Sequence, residues 1–181
     1  MRYGLTVNAG RRELESTTPY LRVANVGREF INLEDVKEIG STNQDLQTYQ
    51  LKLGDVLIVE GHANIHEIGR SAIWKHSDTL MLHQNHLIRV RCGDILNPRY
   101  LSAYINGPRG RGYFQGMAKS TSGLNTINST VVKELKVPAI SIEAQLEFVS
   151  ELDVLEQNQA NAANQIEVQQ QLLKSLLNQI F

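Results

Sequence analysis

A chain of 181 residues accommodates one globular domain with its own core and an extension beyond it. Its single cysteine, Cys92, excludes a disulfide framework within the chain and suits a reducing compartment. No apolar run is long enough to cross a membrane and nothing near Met1 resembles a secretory leader, so a cytoplasmic protein with no membrane partner is expected. The net charge of −1 conceals an asymmetry: up to Ile140 there are 17 Lys and Arg against 13 Asp and Glu, whereas beyond it Lys174 faces six acids. Between Arg89 and Lys136 eight basic residues meet only Asp94 and Glu134, which points to a polyanion partner for the body of the protein.

In chain order, Arg2 to Thr18 has little periodicity and reads as a polar loop around Asn8-Ala9-Gly10-Arg11-Arg12. Pro19 to Val26 is apolar and β-branched enough for a strand, and Leu33 to Ile39 suggests a short helix. Ser41 to Thr48 is polar, a loop or a helix. Tyr49 to Leu53 alternates, Gly54-Asp55 turns, and Val56 to Val59 forms a buried strand. Further strands are expected at Arg70 to Trp74 and Leu87 to Arg91. Pro98 to Asn106 has helical spacing with Pro at its first position, and Gly107 ends it. A second short helix fits Arg111 to Met117, a polar loop fits Lys119 to Asn128, and Tyr100, Tyr104 and Trp74 read as core residues.

From Ser141 onward the pattern changes. Steps of four and three from Phe148 reach Leu152, Leu155, Gln159, Ala162, Ile166, Gln169, Leu173, Leu176 and Ile180, a seam with only two polar positions. Pro138 stops what precedes and Ser141 is placed to cap a single helix free of Gly and Pro. At 1.5 Å per residue the seam runs roughly 50 Å, longer than one such domain covers with its own core. A partner helix is therefore expected on Phe148, Leu152, Leu155, Ala162, Ile166, Leu173, Leu176 and Ile180, which makes a dimer the first expectation.

The chemistry-bearing patterns are sparse. His62 and His66, His83 and His86, with Cys92, could be drawn as a mixed zinc set, but no pair sits on a helix face and no paired Cys accompanies them, so no metal is expected. Gly107-Pro108-Arg109-Gly110 has the form of a phosphate-clamping Gly loop between helices, and puts Arg109 and Arg111 on a Gly-rich turn within reach of phosphates. Nucleotide-binding glycine patterns, nucleophile elbows and amino-methyltransferase motifs are absent, so no catalytic residues are assigned and a binder is favoured over an enzyme.

Taken together, PYLRVANV (19–26), YQLKLGDVLIVEG (49–61), IGRSAIW (68–74), HQNHLIRVR (83–91), PRYLSAYIN (98–106) and STSGLNTINSTVVKELKVPAISIEAQLEFV (120–149) resemble the specificity subunits of type I restriction-modification systems. The resemblance implies an α/β (α+β) target recognition domain with a twisted mixed β-sheet at residues 1–139, followed at 140–181 by one conserved helix that acts as dimerisation element and spacer. Family members usually carry two such domains and two helices, so this chain resembles a half-subunit.

The function so implied is sequence-specific binding of double-stranded DNA, each domain reading one half of a bipartite target, with no catalysis by this chain. The implied partners are modification (methyltransferase) subunits, which would carry S-adenosylmethionine, a restriction subunit in the full complex, and a second copy or a second specificity half. This chain itself would hold no cofactor. The residue types that contact phosphates and base edges occur at Arg11, Arg12, Asn25 and Arg28; at His62, Asn64 and His66; at His83 and Asn85; at Arg109 and Arg111; and at Lys119, Thr121, Ser122 and Asn125. Two rival readings make distinct demands. A metal-dependent nuclease needs the histidines to converge; an interaction module that pairs through its coil with another specificity subunit needs no DNA contact.

Overall fold

The computed structural model describes residues 1–180, with side chains through 178. It divides into two units, Met1–Ile140 and Ser141–Phe181. The first is built on a central strand, β4 (Val56–Val59), whose four residues are all buried. Because side chains alternate along a strand, Leu57 and Val59 enter one core with Leu21, Leu51, Trp74 and Leu87, and Val56 and Ile58 enter another with Ile88, Leu101, Ile105 and Phe114. A strand buried on both faces reads as a continuous apolar run, and this one does.

Around β4 lies an antiparallel sheet in the order β1 (Arg2–Tyr3), β8 (Leu87–Val90), β4, β6 (Ser71–Ile73). A second, mixed sheet sets β2 (Thr17–Leu21) between antiparallel β3 (Lys37–Gly40) and parallel β7 (Leu82–His83). Between β3 and β4 in sequence, α1 (Asn43–Tyr49) begins with a full capping box of Thr42 and Asp45. Two helices, α2 (Pro98–Asn106) and α3 (Pro108–Met117), follow β8. A third small sheet joins β5 (Gly61–His62) to β10 (Leu124–Thr126) and β9 (Lys119–Thr121), and α4 (Ser129–Glu134) leads out of the domain.

The expected mixed α/β architecture is what the chain adopts, with local corrections. Residues 33–36 are not helical, and Lys37–Gly40 pairs instead with Thr17–Tyr20, because ladder bonds to β2 outweigh a weak local periodicity. Tyr49 to Leu53 is the end of α1 and a turn rather than a strand, and Gly54 completes it at φ +85. The polar stretch after Lys119 is a hairpin: Thr121 pairs Leu124 across Ser122-Gly123, both at positive φ as a two-residue primed turn requires. The opening loop carries β1 and a 3-10 turn, Ala9–Glu13.

The second unit is one helix, α5 (Ile142–Ile180), of 39 residues. The Ser141 hydroxyl accepts from the Ala144 backbone N–H at 3.3 Å, the expected cap. Along its seam Phe148, Leu155, Ile166, Leu173 and Leu176 are 44% to 65% exposed, Ala162 is exposed and Leu152 half-buried. The side chain of Ile180 lies outside the described residues. No helix among the described residues is long and apolar enough to cross a membrane.

Candidate nucleic-acid interface

Seven of the residues singled out from the sequence come together where β5 receives the β9–β10 hairpin. Asn125 stands opposite His62 in the ladder, and its side-chain amide donates to the carbonyls of His62 at 3.2 Å and Ala63 at 2.8 Å. The Asn64 backbone N–H donates to His62 Nδ1, while Asn64 Oδ1 accepts from the His66 N–H and caps a 3-10 turn at Ile65–Glu67. Lys119, Thr121 and Ser122 are exposed on the hairpin beside this turn. The segment between Gly61 and Glu67 is thus shaped by its own side chains. Asn125 and Asn64 each spend polar groups on that shape, whereas His66 and the tip of the hairpin are exposed.

Next to the hairpin opens a cleft of about 590 Å³. Met117, Ile127 and Val131 line it together with Lys119, Gln84 and His86. His86 Nδ1 lies 2.9 Å from Glu60 Oε2, which ties this lining to the end of β4. Asn85 borders a neighbouring recess with Arg2, Tyr49 and His86.

Arg28 reaches the same region from the loop after β2. Its guanidinium donates to the carbonyl of His66 at 2.9 Å and to Asn106 Oδ1 at 3.2 Å. Arg109 and Arg111 are exposed, but not on a mobile loop: Pro108 opens α3, so Gly107-Pro108-Arg109-Gly110 is a cap and first helical turn, and Arg111 N–H already bonds the Gly107 carbonyl. Gly110 packs so closely that an added Cβ would lie 2.4 Å from the Tyr104 carbonyl oxygen, so its glycine serves helix packing.

Two expected contacts are corrected. Asn25 is 3% exposed; it accepts from the Arg22 N–H and donates to the carbonyls of Asn32 and Asp35, which closes the loop between β2 and β3. His83 is fully buried, with Nδ1 2.9 Å from the Tyr49 carbonyl oxygen, and burial followed by the charge of Arg89 pushes its pKa down to about 4. Neither can meet a base. Arg11 and Arg12 sit against β3, on another sheet; Arg11 forms a two-pronged pair with Asp45 at 2.8 and 3.1 Å, and that hydrogen bonding holds the Asp45 carboxyl down at about 2. Arg12 is exposed.

The basic run from Arg89 to Lys136 is not one surface. Arg91 grips the buried Asp55 through two contacts of 2.7 Å, Arg89 donates to the Gln50 carbonyl, and Arg99 pairs with Glu29. The charge left on the outside is that of Arg109, Arg111, Lys119, Lys133 and Lys136. Composition alone cannot separate cations that staple a fold from those that face a ligand. The histidines do not converge either. Among the described residues no group of three or more His, Cys, Asp and Glu is placed to hold a metal, and burial raises the Cys92 thiol to about 11.

Sequence reading missed Glu29 and Asn106. Glu29 takes a left-handed backbone at φ 70 and accepts from Arg99, Ser102 and Asn106; Asn106 also bonds Ser71 through backbone and hydroxyl. The only advance signal was Asn106 before Gly107 at a helix end.

No protein-family model matches the chain. Over its whole length it is 26% identical to a protein of Methanocaldococcus jannaschii described as a type I restriction enzyme MjaX specificity subunit, and it covers 42% of that protein. Over 76% of its length it is 24% identical to the type I restriction enzyme EcoKI specificity subunit of Escherichia coli, covering 30% of it. In fold, 88% of the chain superposes on 41% of an HsdS subunit from Thermoanaerobacter tengcongensis with a TM-score of 0.62 at 11% identity. The same share superposes, with a TM-score of 0.61 at 18% identity, on a chain from a structure of a type I R-M system. The chain spans less than half the length of these relatives.

Proposed function

We propose that this chain, which belongs with the specificity subunits of type I restriction enzymes in sequence and fold, reads one half of a bipartite DNA target and carries no catalysis of its own. The observation that carries the reading is the sequence match of the whole of this chain to 42% of a specificity subunit. The Arg28 bond to the His66 carbonyl, the ladder that sets the hairpin beside His62, and the exposure of Arg111 and Lys119 support it, and these groups form the ledge of the reading. Arg and Lys there set register on phosphates, and His66, Thr121 and Ser122 face the base edges. Modification subunits dock on the assembly and supply S-adenosylmethionine, and a restriction subunit completes the nuclease. A second copy, paired along α5, supplies the second recognition domain.

The interaction-module reading differs in one measurable respect. If the ledge binds phosphates, affinity for a duplex falls steeply and linearly on a log–log plot against salt, by about 0.9 per phosphate contacted. Binding of purified dimer to a duplex of mixed sequence, titrated from low to moderate salt, tests this. A flat salt dependence would leave the coil as the functional surface and remove DNA reading.

A further inference from the structure

Among the described residues the buried and half-buried arginines share one habit. Arg11, Arg22, Arg70, Arg89 and Arg99 each meet a carboxylate within 4 Å, from Asp45, Asp35, Glu67, Asp55 and Glu29 respectively. Arg28 does not. It is half-buried, and its guanidinium rests on two neutral oxygens, the His66 carbonyl and Asn106 Oδ1. Both nearby acids are spent elsewhere: Glu67 on Arg70, and Glu29 on Arg99, Ser102 and Asn106. The 3-10 turn that carries His66 packs against α3, the helix of Arg111: Ile65 joins the core that holds Phe114, three residues on from Arg111, and a Cβ on Gly69 would strike that ring. The Arg28 guanidinium is held below its ordinary pKa by burial and, next, by the charge of Arg111.

Burying part of a cation beside a second cation, with neutral acceptors behind it, costs free energy that the charges of Glu67 and Glu29 offset only in part. A bound anion removes that cost. We propose that Arg28 and Arg111 form a clamp for a single phosphate, and that Asn106 and Glu29 are positioning residues that hold Arg28 in it. Resting on the DNA reading above, the ligand is one phosphodiester of the duplex backbone. Asn106 is suited to the positioning role because its oxygen takes Arg28 and the Ser71 N–H while its amide donates to Glu29, Ser71 and Ser102. The clamp is thereby fixed to α2 and β6, on regular elements rather than on the recognition hairpin.

The test uses the full chain and a duplex of mixed sequence. The slope of log affinity against log salt is measured for wild type, Arg28→Gln, Arg111→Gln and the double variant. One shared phosphate predicts that the double variant loses about 0.9 of slope, with each single variant already close to that. Loss of about twice that, shared equally between the singles, would mean two separate contacts and overturn the clamp. An unchanged slope with wild-type binding intact would remove the phosphate role while leaving DNA reading in place.

Asn106→Ala is expected to lower the slope as Arg28→Gln does, with no further loss when the two are combined. Reduced thermal stability with an undiminished slope would make Asn106 merely structural and sink the positioning claim. If Asn106→Ala fails to fold, a milder Asn106→Ser carries the same comparison. Should wild type bind no duplex, titration with inorganic phosphate, followed by the NMR shift of the Arg28 Nε–H, still decides the clamp: a saturable shift lost in Arg111→Gln supports it, and no shift refutes it.

Discussion

At the scale of single residues, the fold depends on groups that the sequence offers as surface chemistry and the structure puts to internal use. His83 is the clearest. Fully buried, with its pKa near 4 against 6.5 when exposed, it stays neutral in the folded state while the unfolded chain takes up a proton. Its contribution is complete above pH 6.5 and is lost as pH falls from there towards 4, by up to about 1.4 kcal/mol per pH unit and about 3 kcal/mol in total. Chemical denaturation at intervals between pH 7 and 4.5 should show this decline, and His83→Gln should flatten it. Asp45 acts in a lower window: held down by Arg11, its contribution is present above pH 3.8 and lost as pH falls towards about 2.

Gly69 is sensitive for a different reason. It sits at φ +69, and an added Cβ would lie 2.4 Å from the Phe114 ring. Gly69→Ala combines backbone strain with a clash against a fully buried side chain, so a loss of about 2 kcal/mol or more is expected in equilibrium unfolding. Because Gly69 follows the turn that carries His66, the same substitution should weaken duplex binding. A variant as stable as wild type would show that the ring has room to move.

At the scale of elements, segments bounded by turn residues and carrying an apolar run or helical period were legible, and polar paired strands were not. Val56–Val59 is a run of four apolar residues after a Gly-Asp turn, and Pro98–Asn106 is bounded by a proline and a glycine; each element spans the residues that such signals predict. By contrast Lys37–Gly40 is a strand because β2, some twenty residues earlier, lies beside it, and Lys119–Thr121 because β10 folds back on it across Ser122-Gly123; neither segment carries the apolar alternation that marks a strand by itself. The site was half legible. His62, Asn64, His66 and the residues after Lys119 were recognisable as polar loop chemistry, while their meeting across β5 and β10 depends on a ladder between positions some sixty residues apart.

The helix α5 makes the strongest demand of any element. Beyond the seam, Leu146, Val154, Val168, Leu172 and Leu177 are also exposed, so its apolar surface exceeds what solvent tolerates on an isolated helix. Burying Leu173 and Leu176 against a second copy is expected to contribute about 1.5–3 kcal/mol per side chain. Sedimentation should therefore give a dimer at tens of micromolar for the wild-type chain, and Leu173→Asp with Leu176→Asp should give a monomer whose first unit, Met1–Ile140, still unfolds cooperatively. A monomeric wild type would contradict pairing along this seam.

At the scale of the whole molecule, pairing and reading combine into one geometric consequence. A homodimer closed by two-fold symmetry presents two identical reading surfaces in inverted orientation, so the two half-sites must be inverted copies of one another, separated by a spacer that the helix length sets. On the proposed pairing, specificity would reside in one domain used twice, and the proposed Arg28–Arg111 phosphate contact would recur once per half-site. The most direct measurement is to co-express the chain with a type I methyltransferase subunit and sequence the methylated positions in the host DNA. The account predicts methylation confined to one interrupted sequence whose halves are inverted repeats, abolished by the Leu173→Asp, Leu176→Asp pair; methylation at unrelated sequences, or at a bipartite site with unlike halves in the presence of this chain alone, would contradict it.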